Sequence, residues 1–490
     1  MAKTCTITIE GCTATITGDY PAAFVRSITS YPVQGAHFSA AYKKGRWDGR
    51  KHLFTLKGAT MPSGLVSSVA RKLKEKDPKQ RVLVVDKRTA PSAGARGLDL
   101  CGELKGKFGK GVYDYQLLAS EAAIKAKRGI LKIATNGGKT AIASAMINHL
   151  TLPTLFVVPG VDLLYQTYEN FQETLGLAAE DIGMIGDQHN TVGEWVTVAT
   201  MDSLANRLAD GSLDEYKNRW ELVFVDECHT AGAETLYEAL GELPAYYVFG
   251  MSGTPLNRSD GGTLRLIART GEVIYEVRNK LLVERGISVQ PVVKLIRIDE
   301  PSIPLKRNKI KVKYAEVEDE GIVNNSTLNA ALVNATVNFV DEGKQCILLI
   351  SKLQQGENLL EMLQDRGCKA GTFTHGKLKA KERKEALTKF VEGEYRYLIG
   401  SRILDQGIDV DCIDVMLFAG GGKAVIPTLQ RSGRGLRSGR GRTEVIIVDV
   451  VNFCHKFLLS HSQERIDTYK AEECFHISLL NEEADPETGR

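Results

Sequence analysis

The chain has 490 residues, 43% hydrophobic and 25% charged, an ordinary globular balance that excludes a disordered or fibrous protein. No stretch reaches the roughly 18 consecutive apolar residues of a membrane span, and the N-terminus, MAKTCTITIEGC, lacks the apolar core of a secretory signal, so an intracellular, cytoplasmic protein is expected. The net charge of +3 hides an asymmetry: residues 1–110 hold 20 Lys and Arg against 8 Asp and Glu, the remainder 43 against 52. An excess of that kind points to a polyanion partner for the N-terminal part.

Cys5 to Thr17 alternate apolar and polar positions, the pattern of a strand hairpin, here around Gly11. A helix is expected near Pro21–Thr29. Phe38–Phe54, FSAAYKKGRWDGRKHLF, follows and mixes Lys43, Lys44, Arg46, Arg50 and Lys51 with Tyr42, Trp47 and Phe54. Such a mixture suits phosphate contact and base stacking, although Trp47 at a turn equally suits a small core. Leu65–Lys74 reads as an amphipathic helix and Arg81–Asp86 as a strand. Residues 87–111, rich in Gly, Ser, Lys and Arg, read as a linker.

Beyond residue 112 short apolar runs alternate with helical segments. Ile130–Ala134, Leu155–Val158, Val196–Ala199, Leu222–Val225 and Tyr247–Met251 form one series; Cys346–Ile350, Tyr397–Gly400, Val415–Phe418 and Val445–Val448 form a second. Buried parallel strands read this way, so the fold expected is α/β, with two doubly wound parallel sheets in tandem behind a small N-terminal α+β domain. A connection is expected around Glu284–Pro304, where Gly286, Pro291, Pro301 and Pro304 interrupt any helix. The expected domains are 1–105, 106–288 and 289–460, with a C-terminal tail at 461–490. The nine cysteines contain no C-x-x-C pair and read as reduced thiols.

Two motifs carry chemistry. Ile133–Thr140, IATNGGKT, lies between a strand and a helix: its glycines let backbone N–H groups close around phosphate, with Lys139 reaching the outer phosphates and Thr140 holding Mg²⁺. Leu222–His229, LVFVDECH, ends an apolar strand in two carboxylates. Burying unpaired acids is costly, which favours a Walker-B reading with Asp226 on Mg²⁺ and Glu227 activating water.

In this order the motifs resemble those of the superfamily 2 helicases and translocases, over roughly residues 112–455. The resemblance makes both parallel-sheet domains RecA-like. It implies ATP and Mg²⁺ as cofactors, bound by Gln116, Thr135, Asn136, Gly137, Gly138, Lys139 and Thr140, with Tyr113 or Tyr115 stacking nearby. VVPGVDLLYQ (157–166) and VATMDSL (198–204) resemble strand-contacting motifs, implying nucleic-acid contacts at Pro159, Gln166 and Thr200 beside Lys43, Lys44, Arg46, Trp47 and Arg50. Asp226, Glu227 and His229 match the DExH box, and Ser252-Gly253-Thr254-Pro255 resembles the motif coupling hydrolysis to domain movement. In the second domain Gly407 and Asp409 resemble motif V. QRSGRGLR matches the QRxGRxxR pattern, implying nucleotide contacts from Gln430 and Arg431 and arginine fingers from Arg434 and Arg437. The basic N-terminal module ahead of such a motor is similar to the phage branch-migrating recombination and repair helicases, which implies a DNA motor acting as a monomer on forks or four-way junctions, in the host cytoplasm if phage-encoded. An RNA helicase and an ATP-switched nucleic-acid clamp are the alternatives.

Overall fold

A computed structural model describes residues 3–92, 113–230, 234–253, 261–307, 310–400, 412–420, 442–471 and 473–480. Two compact units divide the chain, Met1–Val277 and Arg278–Arg490.

The first unit opens with the expected hairpin. Thr4–Glu10 and Thr13–Gly18 pair antiparallel around Gly11, whose φ of 56° makes the tight turn. Alternation along both strands buries Cys5, Ile7, Ala14 and Ile16 on one face. Thr60–Pro62 extends the sheet beside Thr13–Gly18, and Arg81–Asp86 adds in parallel to Thr4–Glu10. The helix Val66–Lys76 buries Val66, Val69 and Leu73, a single helical stripe. A separate ribbon pairs Ser30–Pro32 with Arg50–His52 and closes the segment 33–49.

This N-terminal part is fastened to the rest of the unit. Its apolar core takes in Tyr237 and Ala268. Gly64 lies so close to the helix Gly262–Thr270 that a Cβ would come within 2.6 Å of the Ala268 carbonyl oxygen. Polar contacts rim the junction: Arg71 pairs with Glu272 at 2.6 Å, Lys51 with Glu234, and Arg88 donates to the Tyr246 carbonyl at 2.9 Å. Arg265 lies over the Tyr31 ring.

The larger sheet of this unit runs, among the described residues, in the order His189–Asn190, Ile182–Gly186, Val196–Thr200, Thr154–Val158, Leu222–Val225, Tyr247–Ser252, Arg128–Ile133, Val273–Val277. Every pair is parallel except the first. The residues of Thr154–Val158, Val196–Thr200 and Leu222–Val225 are all buried, which is why they read as unbroken apolar runs. Parallel pairing brings the carboxyl ends of these strands to one edge, where open α/β sheets bind their ligands.

The second unit holds an all-parallel sheet ordered Gly371–Thr374, Tyr397–Gly400, Cys346–Leu349, Val415–Phe418, Glu444–Asn452, Gln290–Ile298, His476–Leu479. Two expectations are corrected here. Gln290–Ile298, inside the segment read as a connection, is a nine-residue strand paired with Glu444–Asn452 along its whole length. Pro291 is tolerated because pairing with His476–Leu479 begins only at Val292. Residues 461–480, read as part of a tail, complete the helix Lys456–Ala471 and supply the edge strand His476–Leu479; 481–490 lie outside the described residues. The helix is locked on by Arg465, which pairs with buried Asp449 at 2.9 Å, while Tyr469 donates to the same carboxylate at 2.7 Å. Among the described residues no helix is long and apolar enough to cross a membrane.

Candidate active site

The strand Arg128–Ile133 ends in the turn Ala134–Gly138, and the helix Lys139–Leu150 starts directly after it. Two residues of the turn, Asn136 and Gly138, take left-handed φ values of 69° and 78°. Asparagine bears that conformation better than most side chains do, and glycine bears it freely. The Gly137 N–H bonds back to the Ala134 carbonyl at 2.9 Å, which closes the loop. A helix N-terminus and unobstructed backbone N–H groups at such a loop form a phosphate cradle.

Gln116 is buried and donates from Nε2 to the Gly137 carbonyl at 3.1 Å. A Cβ at Gly138 would run into the same amide. The residue expected at the adenine therefore also braces the loop expected to hold phosphate. Of the two tyrosines named as stacking partners, Tyr115 is buried and Tyr113 is half-buried, their ring centroids 6.2 Å apart.

Two strands away, Leu222–Val225 ends in the carboxylates. Glu227 has a φ of 44°, and its N–H donates to Asp226 Oδ1 at 2.9 Å. A non-glycine residue held there costs on the order of 1–3 kcal/mol and is characteristic of functional sites. Lys139 Nζ forms an ion pair with Glu227 Oε1 and lies 3.4 Å from Asp226 Oδ1. On its far side Glu227 Oε2 is 3.3 Å from His229 Nδ1, which lies 3.0 Å from Ser252 Oγ. The strand Tyr247–Ser252 runs between the two motif strands, so Lys139, Glu227, His229 and Ser252 form one polar chain across three adjacent strand ends.

Burial dominates the electrostatics. It raises the Asp226 carboxyl, with Lys139 pulling the other way. Burial also pushes Glu227 up, but Lys139 and the His229 hydrogen bond outweigh it and hold Glu227 below the usual carboxylate range. Lys139 is disfavoured by burial and rescued by both carboxylates, which raise it above its ordinary value. The site therefore stores a charged lysine against an ionised glutamate. Cys228, between Glu227 and His229, is buried and its thiol is raised by burial, so it serves as packing.

Thr140 is half-buried in the first turn of the helix that Lys139 opens. Among the described residues no group of three or more His, Cys, Asp or Glu could hold a metal. One hydroxyl and one carboxylate suit Mg²⁺, which keeps much of its water and leans on substrate phosphate. His229 and Ser252 were matched to motifs by sequence; the contact between them was not foreseeable, because it depends on strand order.

The expected nucleic-acid residues lie apart from this cluster. Pro159 follows Thr154–Val158, and Gln166 is exposed on the helix Val161–Leu175. Thr200 is buried, and its hydroxyl accepts the Ser203 N–H at 3.3 Å as the cap of Met201–Ala209, a structural duty. In the N-terminal part Lys43, Lys44 and Arg46 are exposed. The Trp47 indole donates to the Arg50 carbonyl at 2.8 Å, and Arg50 donates to the Ser30 hydroxyl and carbonyl. Phe54, offered as a stacking residue, is instead buried in the core. Its place at the end of the Arg50–His52 strand turns it inward. Gly407, Asp409, Gln430, Arg431, Arg434 and Arg437, with Thr254 and Pro255, lie outside the described residues, while Thr135 is half-buried after the strand Arg128–Ile133.

Known proteins match this arrangement. Residues 110–257 fit the family described as type III restriction enzyme, res subunit, and residues 328–439 fit the helicase conserved C-terminal domain. The DNA 3'-5' translocase XPB2 of Sulfurisphaera tokodaii is 28% identical over 370 residues, 69% of this chain and 81% of that protein. The ATP-dependent DNA helicase uvsW of Enterobacteria phage T4 is 20% identical over 509 residues, 92% of this chain and 94% of its own. Among solved structures, the helicase MrfA bound to DNA superposes with a TM-score of 0.55 at 16% identity, over 79% of this chain and 53% of that one, a likeness of fold. Two helicase families in series, the first carrying the lysine–carboxylate chain, mean that the protein belongs to the superfamily 2 DExH-type ATP-dependent helicases and resembles phage UvsW.

Proposed function

We propose that the protein is a DNA motor that hydrolyses ATP to unwind or migrate forks and four-way junctions in recombination, repair or replication. The observation that carries the reading is the polar chain Lys139–Glu227–His229–Ser252 at the carboxyl edge of the first sheet. The likeness to uvsW along 92% of the chain, N-terminal part included, supports the choice of DNA. If phage-encoded, it works in the host cytoplasm.

In this reading the backbone N–H groups of Gly138, Lys139 and Thr140, where the helix begins, take the phosphates of ATP. Lys139 exchanges its partner Glu227 for them. Thr140 and Asp226 would hold Mg²⁺, which would supply charge neutralisation at the phosphates. Glu227, freed from Lys139 and already ionised, accepts a proton at Oε1 from the attacking water. Its Oε2 stays on His229, so the change at Glu227 is felt at Ser252 and at the segment that follows. Arg434 and Arg437 act as arginine fingers, with Gln430, Arg431, Gly407 and Asp409 completing the nucleotide contacts. DNA backbone is held at Pro159, just past the strand Thr154–Val158, and at Gln166 on the helix that follows it, and the N-terminal part, with Lys43, Lys44 and Arg46 exposed, holds a duplex arm. Such contacts are sequence-independent and weaken with salt.

The test is steady-state ATP hydrolysis with no nucleic acid, single-stranded DNA, blunt duplex, a four-way junction and single-stranded RNA. Strongest stimulation by the junction is expected. Strongest stimulation by RNA would make the protein an RNA helicase, and no stimulation by any of them would end the motor reading.

A further inference from the structure

The segment 33–49 is a built projection. Its base is the ribbon Ser30–Pro32 with Arg50–His52, and each strand is tied to the motor sheet's unit. Tyr31 accepts from Arg265 at 3.2 Å and packs on Gly261, where a Cβ would strike its ring. Lys51 pairs with Glu234. Both anchors sit early in the helices Gly262–Thr270 and Glu234–Gly241, which follow the Ser252 and DECH strand ends, so the ribbon is fixed near the carboxyl edge of the sheet.

The projection is also internally braced. Val33 bonds to the Gly49 carbonyl at 2.8 Å, and Arg46 to the Ala41 carbonyl at 2.9 Å. The Tyr42 ring lies against Gly49, whose φ is 73° and where a Cβ would meet the ring at 2.9 Å. Asp48 pairs with His52 at 2.7 Å. Trp47 and Arg50, as described, spend their donors inside the segment.

What remains facing water is chemically consistent. Phe38 is 74% exposed, the most exposed large apolar side chain among the described residues, with only the His37 ring tilted against it at 4.0 Å. Tyr42 is 44% exposed. Lys43, Lys44 and Arg46 stand exposed within eight residues of Phe38, with no ion-pair partner among the described residues. A ring held out in water on a braced support is free to stack, and three free cations close to it in the chain select a polyanion with flat apolar faces. A nucleic acid whose bases are open to stacking has both.

We infer that this projection is the branch reader of the motor: Phe38 stacks on the terminal base pair exposed where strands part, while Lys43, Lys44 and Arg46 hold the adjoining phosphates. The role offered by sequence to Trp47 and Phe54 belongs to Phe38. The inference rests on the proposed DNA-motor reading. It is specific to branched or frayed DNA and duplex ends, because the interior of a duplex offers no free base-pair face.

The test uses the full chain and a fork carrying 2-aminopurine either at the branch or several base pairs inside the duplex. Wild-type protein should change the fluorescence of the branch probe and leave the interior probe unaltered. Phe38→Ala should abolish the branch signal and lower affinity for the fork roughly fivefold to tenfold, as loss of one stacked base does, with affinity for a duplex closed at both ends by short hairpin loops unchanged. Phe38→Tyr should restore both. Lys43→Ala/Lys44→Ala/Arg46→Ala should weaken fork and duplex alike and flatten the salt dependence. Phe38 is exposed, so its variants keep the fold, which far-ultraviolet circular dichroism checks. A Phe38→Ala protein with wild-type fork preference and branch signal would overturn the inference while sparing the motor reading. A wild-type protein that binds the fork and the closed-end duplex equally would overturn both.

Discussion

Lys139 faces two partly buried carboxylates yet pairs with only one of them closely. A buried ion pair contributes little net stability, because desolvation consumes most of the attraction. Its value here is readiness: a charged lysine and an ionised glutamate are already in place, and phosphate need only replace Glu227 at Nζ. Lys139→Ala is expected to lower ATP turnover by about a hundredfold or more, the scale of losing a preorganised charge-stabilising group, with the circular dichroism spectrum retained; near-normal phosphate release would refute the assignment. His229 has a different role. It touches Glu227 on one side and Ser252 on the other. His229→Ala should leave nucleotide affinity near wild type and lower nucleic-acid-stimulated turnover by about tenfold, within the usual range for a coupling residue. Equal loss of nucleotide affinity and turnover, measured with a fluorescent nucleotide and a phosphate assay, would make His229 part of the binding pocket instead.

At the scale of elements, the parallel strands were legible because residues buried on both faces leave unbroken apolar runs; Leu222–Val225 and Tyr397–Gly400 begin and end where the sequence suggested. Legibility stopped where partners are distant. Nothing local in His476–Leu479 announces a four-residue edge strand, since it exists only through pairing with Gln290–Ile298. Pro291 suggested a break because the sequence does not reveal that its side of the ladder is unpaired. Phe54 and Phe38 show the same limit for side chains: composition placed both in a basic–aromatic segment, and only the ribbon decides which one faces water. The junction between the N-terminal part and the motor sheet was equally invisible. It depends on Gly64 meeting the backbone of Gly262–Thr270. Gly64→Ala should force that contact apart and cost about 1–3 kcal/mol in urea unfolding, as overpacking does. An unchanged midpoint would show that the junction yields freely.

For the molecule as a whole, the sign of the charge asymmetry survives but its meaning narrows. Part of the N-terminal positive charge is spent internally, in Arg71–Glu272, Lys51–Glu234 and Arg88–Asp86. These contacts, with Tyr237 and Ala268 in the N-terminal core, mean that removing residues 1–105 would strip cover from the motor itself. Point changes on the projection are therefore the cleaner probe of DNA binding. Hydrolysis at Glu227 is proposed to drive rearrangement of branched DNA. It is tested most directly by following a labelled four-way junction with ATP and Mg²⁺ for wild-type protein and Glu227→Gln. The account predicts that wild type converts the junction to duplex products only with ATP, while Glu227→Gln binds junction and ATP but converts none. Conversion by Glu227→Gln at the wild-type rate, or none by the wild type, would contradict it.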